Sequence, residues 1–273
     1  MKPVCVTIWG CRGSYPAPFP DRMEFGGNTS CISLEYEDRV IVLDAGTGIV
    51  PFGRVTDWAE KNKRVDIFIS HIHLDHIMGL YMFQPLYDPE MKIHIYGTSM
   101  HDMSLKYQIE SLISPPYWPM NLKSLPAEVE YHTMDENEPL MLYPDIEVRA
   151  GVSNHPGKCL CYLIHIDGRS ILYATDCEMD ESIWNELVSF GTGCDLLICD
   201  AQFRPEELEV KKGWGHSSWS EGNRLLHDCN AGKVLHTHFD WDAGDNELRE
   251  RERMAVGGEP CAVFAREGMV IHL

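Results

Sequence analysis

The sequence predicts an α/β protein with mixed sheets covered by helices and a polar site at one sheet edge. Short apolar runs of strand length, such as 40–43, 65–69 and 196–199, alternate with stretches patterned for helices. Histidines and aspartates gather where those runs end, the place where α/β sheets hold ligands. The chain has 273 residues, 44% of them apolar and 24% charged, enough for a sizeable core in one large domain spanning 1–273.

Taken in order, residues 1–10 read as a first strand. Gly10-Cys11-Arg12-Gly13-Ser14-Tyr15-Pro16, with Pro18 and Pro20, reads as a turn-rich loop. Gly26-Gly27-Asn28-Thr29-Ser30-Cys31 then leads into a strand at 32–36 and is either an anion-approaching loop or only a turn. Residues 40–43 form a buried strand that ends at Asp44, which either orients a histidine or caps a helix. An amphipathic helix is expected over 49–63, then a buried strand at 65–69 and a helix over 77–83. Residues 92–97 alternate like a strand, and 99–113 suit a helix that Pro115 and Pro116 break. The aromatic loop 114–119 is either a cleft wall or plain surface. A strand at 146–152 leads to His155, and strands at 159–166 and 170–174 make a hairpin around Asp167-Gly168. Further strands at 196–199 and 234–238 follow, with a helix opening after His216, a charged helix over 245–254, and a small terminal hairpin over 261–273.

The formal charge is −19, which speaks against a long nucleic-acid track but not against a small phosphate at a cationic centre. None of the ten cysteines forms a CxxC pair, and several sit inside apolar runs. No export signal is evident at the start and no apolar run reaches the roughly 18 residues of a membrane span, so a reduced, cytoplasmic protein without a membrane is expected.

The chemistry concentrates in His71-Ile72-His73-Leu74-Asp75-His76, where three histidines and one aspartate fall within six residues. If the preceding strand continued, residues 71, 73 and 75 would share a face. Imidazole nitrogen and carboxylate oxygen are the donors that zinc and similar divalent ions accept. His155, Asp176, Asp200 and His238 end other strands, and His216 opens a helix. His94, His101, His132, His165, His227, His236 and His272 have no such motif and read as structural or surface residues.

The ordered set His71-x-His73-x-Asp75-His76, His155, Asp176 and His238 resembles the metallo-β-lactamase superfamily. Leu43-Asp44-Ala45-Gly46-Thr47-Gly48, Tyr173-Ala174-Thr175-Asp176 and Gly215-His216-Ser217-Ser218, with the 26–31 motif, are similar to its ribonuclease Z and phosphodiesterase branch. The resemblance implies a four-layer αβ/βα sandwich with two divalent metal ions at one edge. Zinc is the first candidate ion, with manganese or iron behind it. By position, one ion would sit on His71, His73 and His155 and the other on Asp75, His76 and His238, with Asp176 and a hydroxide bridging them.

Only 21 positions separate His155 from Asp176, the interval in which long-arm ribonuclease Z proteins carry their RNA-gripping arm. The resemblance is therefore closer to the small-molecule phosphodiesterases of the branch, such as that of the carbon–phosphorus lyase pathway. The expected function is hydrolysis of a small or cyclic phosphodiester by the bridging hydroxide, with His216 as general acid, Asp200 orienting it, and Asp75 also in the catalytic group. An RNA-end nuclease and an ester, thioester or lactam hydrolase are the competing readings. The expected partner is a small-molecule phosphodiester, with a homodimer left open and no role assigned to Trp214 or Trp219.

Overall fold

The computed structural model describes residues 2–100, 102–136 and 138–273, so His101 lies outside the described residues. Two seven-stranded sheets make up most of the fold. The first runs Val270–His272, Cys5–Gly10, Cys31–Tyr36, Arg39–Leu43, Arg64–Phe68, Lys92–Gly97 and Glu128–Thr133 from edge to edge. The second runs Ala262–Phe264, Val234–Thr237, Leu196–Asp200, Arg169–Ala174, Cys159–Ile166, Ile146–Ser153 and Leu140–Tyr143. Each sheet is part parallel and part antiparallel.

The central strands are buried on both faces, and the period of two sorts their side chains. Phe68 and Tyr96 of the first sheet point inward against Tyr162, Ile164 and Ile198 of the second. Ile67, Ile93 and Ile95 point outward beneath Phe52 of the helix Ile49–Val55 and Ile109 of the helix Leu105–Leu112. Leu172, Leu197 and Cys199 do the same on the other side, beneath Leu187 of Trp184–Gly191 and Leu225 of Trp219–Asp228. The result is helix, sheet, sheet, helix, the four layers expected.

Several local expectations change. The helix expected over 49–63 ends at Val55, because Thr56 turns extended and its hydroxyl bonds the Phe52 carbonyl at 2.8 Å. The one expected over 77–83 is a short turn of helix at Leu74–Ile77 followed by a 3₁₀ turn at Leu80–Met82. The helix expected over 99–113 begins only at Leu105, where the Ser104 hydroxyl accepts from the Tyr107 amide. The charged helix is longer than expected, Asp245–Gly258. The terminal hairpin does not form. Ala262–Phe264 pairs in parallel with Val234–Thr237, whereas Val270–His272 pairs with Cys5–Gly10 in the other sheet. Two edge strands, Glu128–Thr133 and Leu140–Tyr143, were not expected. Among the described residues no helix is long and apolar enough to cross a membrane.

Ile198 lies fully buried where the two sheets meet. We expect Ile198→Ala to lower unfolding stability by about 2–5 kcal/mol in urea denaturation. A loss below about 1 kcal/mol would contradict a core shared between the sheets.

Candidate metal centre

Most of the candidate residues sit just past the end of a strand; Asp75 and His76 lie on a helical turn and His216 in the loop before the helix Trp219–Asp228. The strand Arg64–Phe68 ends before His71, so the alternation expected to align 71, 73 and 75 does not persist. His71 and His73 lie on an irregular segment and Asp75 and His76 on the helical turn that follows, which divides the motif between two clusters. Asp44, Asp176 and His238 follow the ends of three other strands with φ of 59°, 49° and 59°. L-residues rarely adopt this left-handed backbone, and such strain collects at functional sites.

Possible ligand atoms of His71, His73 and His155 form one group and those of Asp75, His76, Asp176 and His238 another, each within 4.8 Å. In the first, His73 Nδ1 lies 3.1 Å from His155 Nε2. In the second, His238 Nε2 lies 3.2 Å from His76 Nε2 and 3.2 Å from Asp75 Oδ2. Donors bound at 2.0–2.1 Å around a tetrahedral ion stand about 3.3 Å apart, so these spacings fit the edges of a coordination shell. Asp176 spans both groups. Its Oδ1 is 3.2 Å from His76 Nε2 and 3.1 Å from His238 Nε2, whereas its Oδ2 is 3.7 Å from His71 Nε2 and 3.9 Å from His155 Nε2. His71 Nε2 is buried with no hydrogen-bond partner, an expensive arrangement unless a cation takes its lone pair. These donors are all nitrogen or oxygen, and the set fits divalent ions.

The surroundings aim the rings. Asp44 Oδ2 faces His76 Nδ1 at 2.7 Å and accepts from the hydroxyls of Ser70 at 2.8 Å and Tyr173 at 2.7 Å. Of its two sequence readings, orienting a histidine is therefore the correct one. His155 Nδ1 faces the Gly215 carbonyl at 2.9 Å, which leaves Nε2 toward the cluster. Two contributors went unnoticed in the sequence. The Ser14 amide donates to Asp75 Oδ2 at 2.7 Å, and Gly13 lies so close to His238 that a Cβ there would come within 2.4 Å of the ring. The turn-rich Gly13-Ser14 pair was the available signal. In the 26–31 loop the Gly26 carbonyl accepts from Arg12 Nε and Asn28 Nδ2 donates to Glu267.

Electrostatics follow the same division. Burial first of all pushes His71, His73 and His155 below the usual imidazole range, so they are neutral donors. Burial opposes charge on His76 too, but Asp176, Asp75 and Asp44 outweigh it and raise its pKa. Burial likewise opposes ionisation of Asp75 and Asp176, yet the neighbouring His76 and His238 hold both below the usual carboxylate range.

His216 stands over both groups, its ring centre 5.1 Å from that of His155 and 5.2 Å from that of His238. Its Nδ1 lies 2.6 Å from Asp200 Oδ2, the pairing anticipated from sequence. Asp200 is itself fixed through Oδ1 by the Gln202 amide at 2.8 Å. Burial disfavours the charged ring, but Asp200 overcomes this and raises the His216 pKa to about 9. Of the two tryptophans, Trp214 is exposed beside Phe203, while Trp219 packs against the inter-sheet core. The 114–119 loop presents Tyr117 and Trp118 to a cavity of about 270 Å³ shared with Leu74 and Met78, which flank Asp75 and His76.

A family model described as a beta-lactamase superfamily domain matches residues 39–239, a span that runs from before the first of these residues to the last. The chain belongs to the metallo-β-lactamase superfamily. It is 35% identical to a protein named ribonuclease Z from Clostridium kluyveri over 86% of this chain and 87% of the relative. It is 26% identical over 88% of its length to "Ribonuclease Z 2, mitochondrial" from Schizosaccharomyces pombe, but spans only 35% of that relative. The solved structure of the metallo-β-lactamase fold protein YhfI from Bacillus subtilis superposes over 100% of both chains with a TM-score of 0.75 at 23% identity. Membership and the two donor sets make this a metal-dependent hydrolase of the ribonuclease Z and phosphodiesterase branch.

These relatives overturn the expected partner. A small-molecule substrate, with long nucleic acid disfavoured, conflicts with homologues named as ribonucleases. The error lay in reading a charge of −19 as if it were spread evenly. Recognition depends on the local field, which bound cations reverse, and net charge does not report it.

The Asp200–His216 pair makes a direct prediction for metal-free protein. Because the folded pKa is raised above the ordinary 6.5, the stabilisation it brings is full below about pH 6.5 and lost as pH rises through about 9. In an NMR titration, Asp200→Asn should bring the His216 midpoint down by more than one unit. An unchanged midpoint would mean that Asp200 does not hold the imidazolium.

Proposed function

We propose that the chain is a dinuclear metal-dependent phosphodiesterase that cleaves RNA, as the name of its curated relatives suggests. The observation that carries the reading is Asp176, whose two carboxylate oxygens face two separate histidine groups while His216 stands over both. His71, His73 and His155 would hold one divalent ion, Asp75, His76 and His238 the other, and Asp176 would serve both. Two such ions would neutralise phosphate charge and lower the pKa of a water toward about 7. Zinc, manganese and iron all accept this nitrogen and oxygen set, and zinc is the ion to test first.

The chain's own groups supply the rest. Asp44 keeps His76 Nδ1 engaged and so turns Nε2 toward Asp176. The Ser14 amide holds Asp75 in place. Asp200 occupies His216 Nδ1, which leaves Nε2 to carry a proton to the leaving oxygen as general acid. Tyr117 and Trp118, beside the helical turn that bears Asp75, offer ring faces on which unstacked bases can rest. The hairpin of Cys159–Ile166 and Arg169–Ala174 uses nearly all the chain between His155 and Asp176, so RNA would be gripped elsewhere than on an arm in that interval. We also propose that residues 1–273 act as one hydrolase domain. The two last strands support this, since one completes each sheet.

His216→Ala should retain both ions by elemental analysis and lose about 10²–10⁴-fold in rate. Loss of metal instead would make His216 a ligand and refute its role as acid. Substrate class is tested by offering metal-loaded enzyme a precursor tRNA beside a chromogenic diester. Cleavage of the RNA is expected, and turnover of the diester with intact RNA would overturn the reading.

A further inference from the structure

A second cluster of metal-type donors lies away from the centre described above. In the parallel pairing of Lys92–Gly97 with Glu128–Thr133, His94 stands opposite Glu130 and Tyr96 opposite His132. The period of two places all four side chains on one face of the sheet. His94 is also level with Asp66, five residues before His71, so this cluster lies further back along the sheet than the first.

Three donor atoms converge here. His94 Nδ1 lies 3.0 Å from His132 Nε2. Glu130 Oε2 lies 3.5 Å from the first and 3.6 Å from the second. Both carboxylate distances exceed a normal charge-assisted hydrogen bond of about 2.7–2.9 Å. Together with the nitrogen spacing they bracket the roughly 3.3 Å edge of a shell with 2.0–2.1 Å bonds. The His132 ring is held flat against Tyr96, with centres 4.6 Å apart and planes at 18°, and Tyr96 is stacked in turn on Phe68. Asp66, level with His94 on the neighbouring strand, is already engaged by Arg64 and by the hydroxyls of Tyr96 and Tyr143. Glu130 is the carboxylate that faces both imidazoles. Burial foremost, and Arg64 next, hold His94 below the usual imidazole range, which favours the neutral ring; its Nδ1 shares a hydrogen bond with His132 that a cation would replace.

We propose that His94, Glu130 and His132 form a third divalent-cation site, separate from the dinuclear centre and suited to zinc. Two imidazoles and one carboxylate leave at least one coordination position open. His132 lines a cavity of about 590 Å³ together with Tyr96, Thr133, Glu138 and Leu140, so the open position can take water or a small anionic ligand from that cavity. The cavity lies where the edge strands of the two sheets, Glu128–Thr133 and Leu140–Tyr143, come together. A cation there would fasten the outermost strand of the first sheet to its neighbour.

The test is zinc stoichiometry of the full chain, loaded with zinc, desalted, and assayed by elemental analysis and chelator competition. Three equivalents are expected in the wild type and two in His132→Ala, with hydrolysis at the dinuclear centre unchanged. Glu130 is half-exposed, so Glu130→Gln will fold, and it should weaken the third equivalent at least about tenfold. Two equivalents in the wild type, or a third that survives both substitutions at full affinity, would overturn the proposal. Because the first two equivalents are counted separately, failure here leaves the dinuclear reading standing.

Discussion

Everything at the centre depends on one carboxylate lying between two groups of imidazoles, all buried except His73. Crowding histidines away from water is unfavourable by itself, since burial removes hydration and the rings repel when protonated. The chain accepts this arrangement because Asp176 faces both groups and Asp44 and Asp75 share the second. His71 Nε2, buried without a hydrogen-bond partner, marks the place where the protein alone does not satisfy its own polar groups. A divalent cation is the species that resolves the deficit.

The fold serves that constraint by ending strands of both sheets at one edge. Asp44, His71 and His73 come from the first sheet, and His155, Asp176, Asp200 and His238 from the second. Left-handed backbone at Asp44, Asp176 and His238 turns the chain out of its strand at the point of use. The inter-sheet core behind them, with Phe68, Tyr162 and Ile198, fixes the distance between the two contributions. Catalytic geometry is then a by-product of packing, which explains why residues more than 160 positions apart meet within hydrogen-bond range.

Much of this was legible in the sequence, for a physical reason. Strands buried on both faces give continuous apolar runs, and polar residues at their ends stand out. Sheets covered by helices, with polar residues gathered at strand ends, were readable in that way; the four layers, the division of donors between two ions and the Asp200–His216 pairing came from the family resemblance. What was not readable depends on partners distant in the chain. The terminal segment resembles a hairpin because two short apolar runs flank a turn, yet each run completes a different sheet. Glu128–Thr133 escaped notice because this edge strand carries polar side chains on an incompletely covered face, and Leu140–Tyr143 because four residues are too short a run to stand out. The roles of Gly13 and the Ser14 amide come from close approach and backbone, which leave little mark on residue type. His94 and His132 read as bland residues because their shared face exists only once two strands pair.

The account is tested most directly by anomalous diffraction from crystals of the zinc-loaded protein. It predicts two peaks about 3.5–4 Å apart, one against each oxygen of Asp176. A single peak, or a pair that leaves Asp176 untouched, would contradict it.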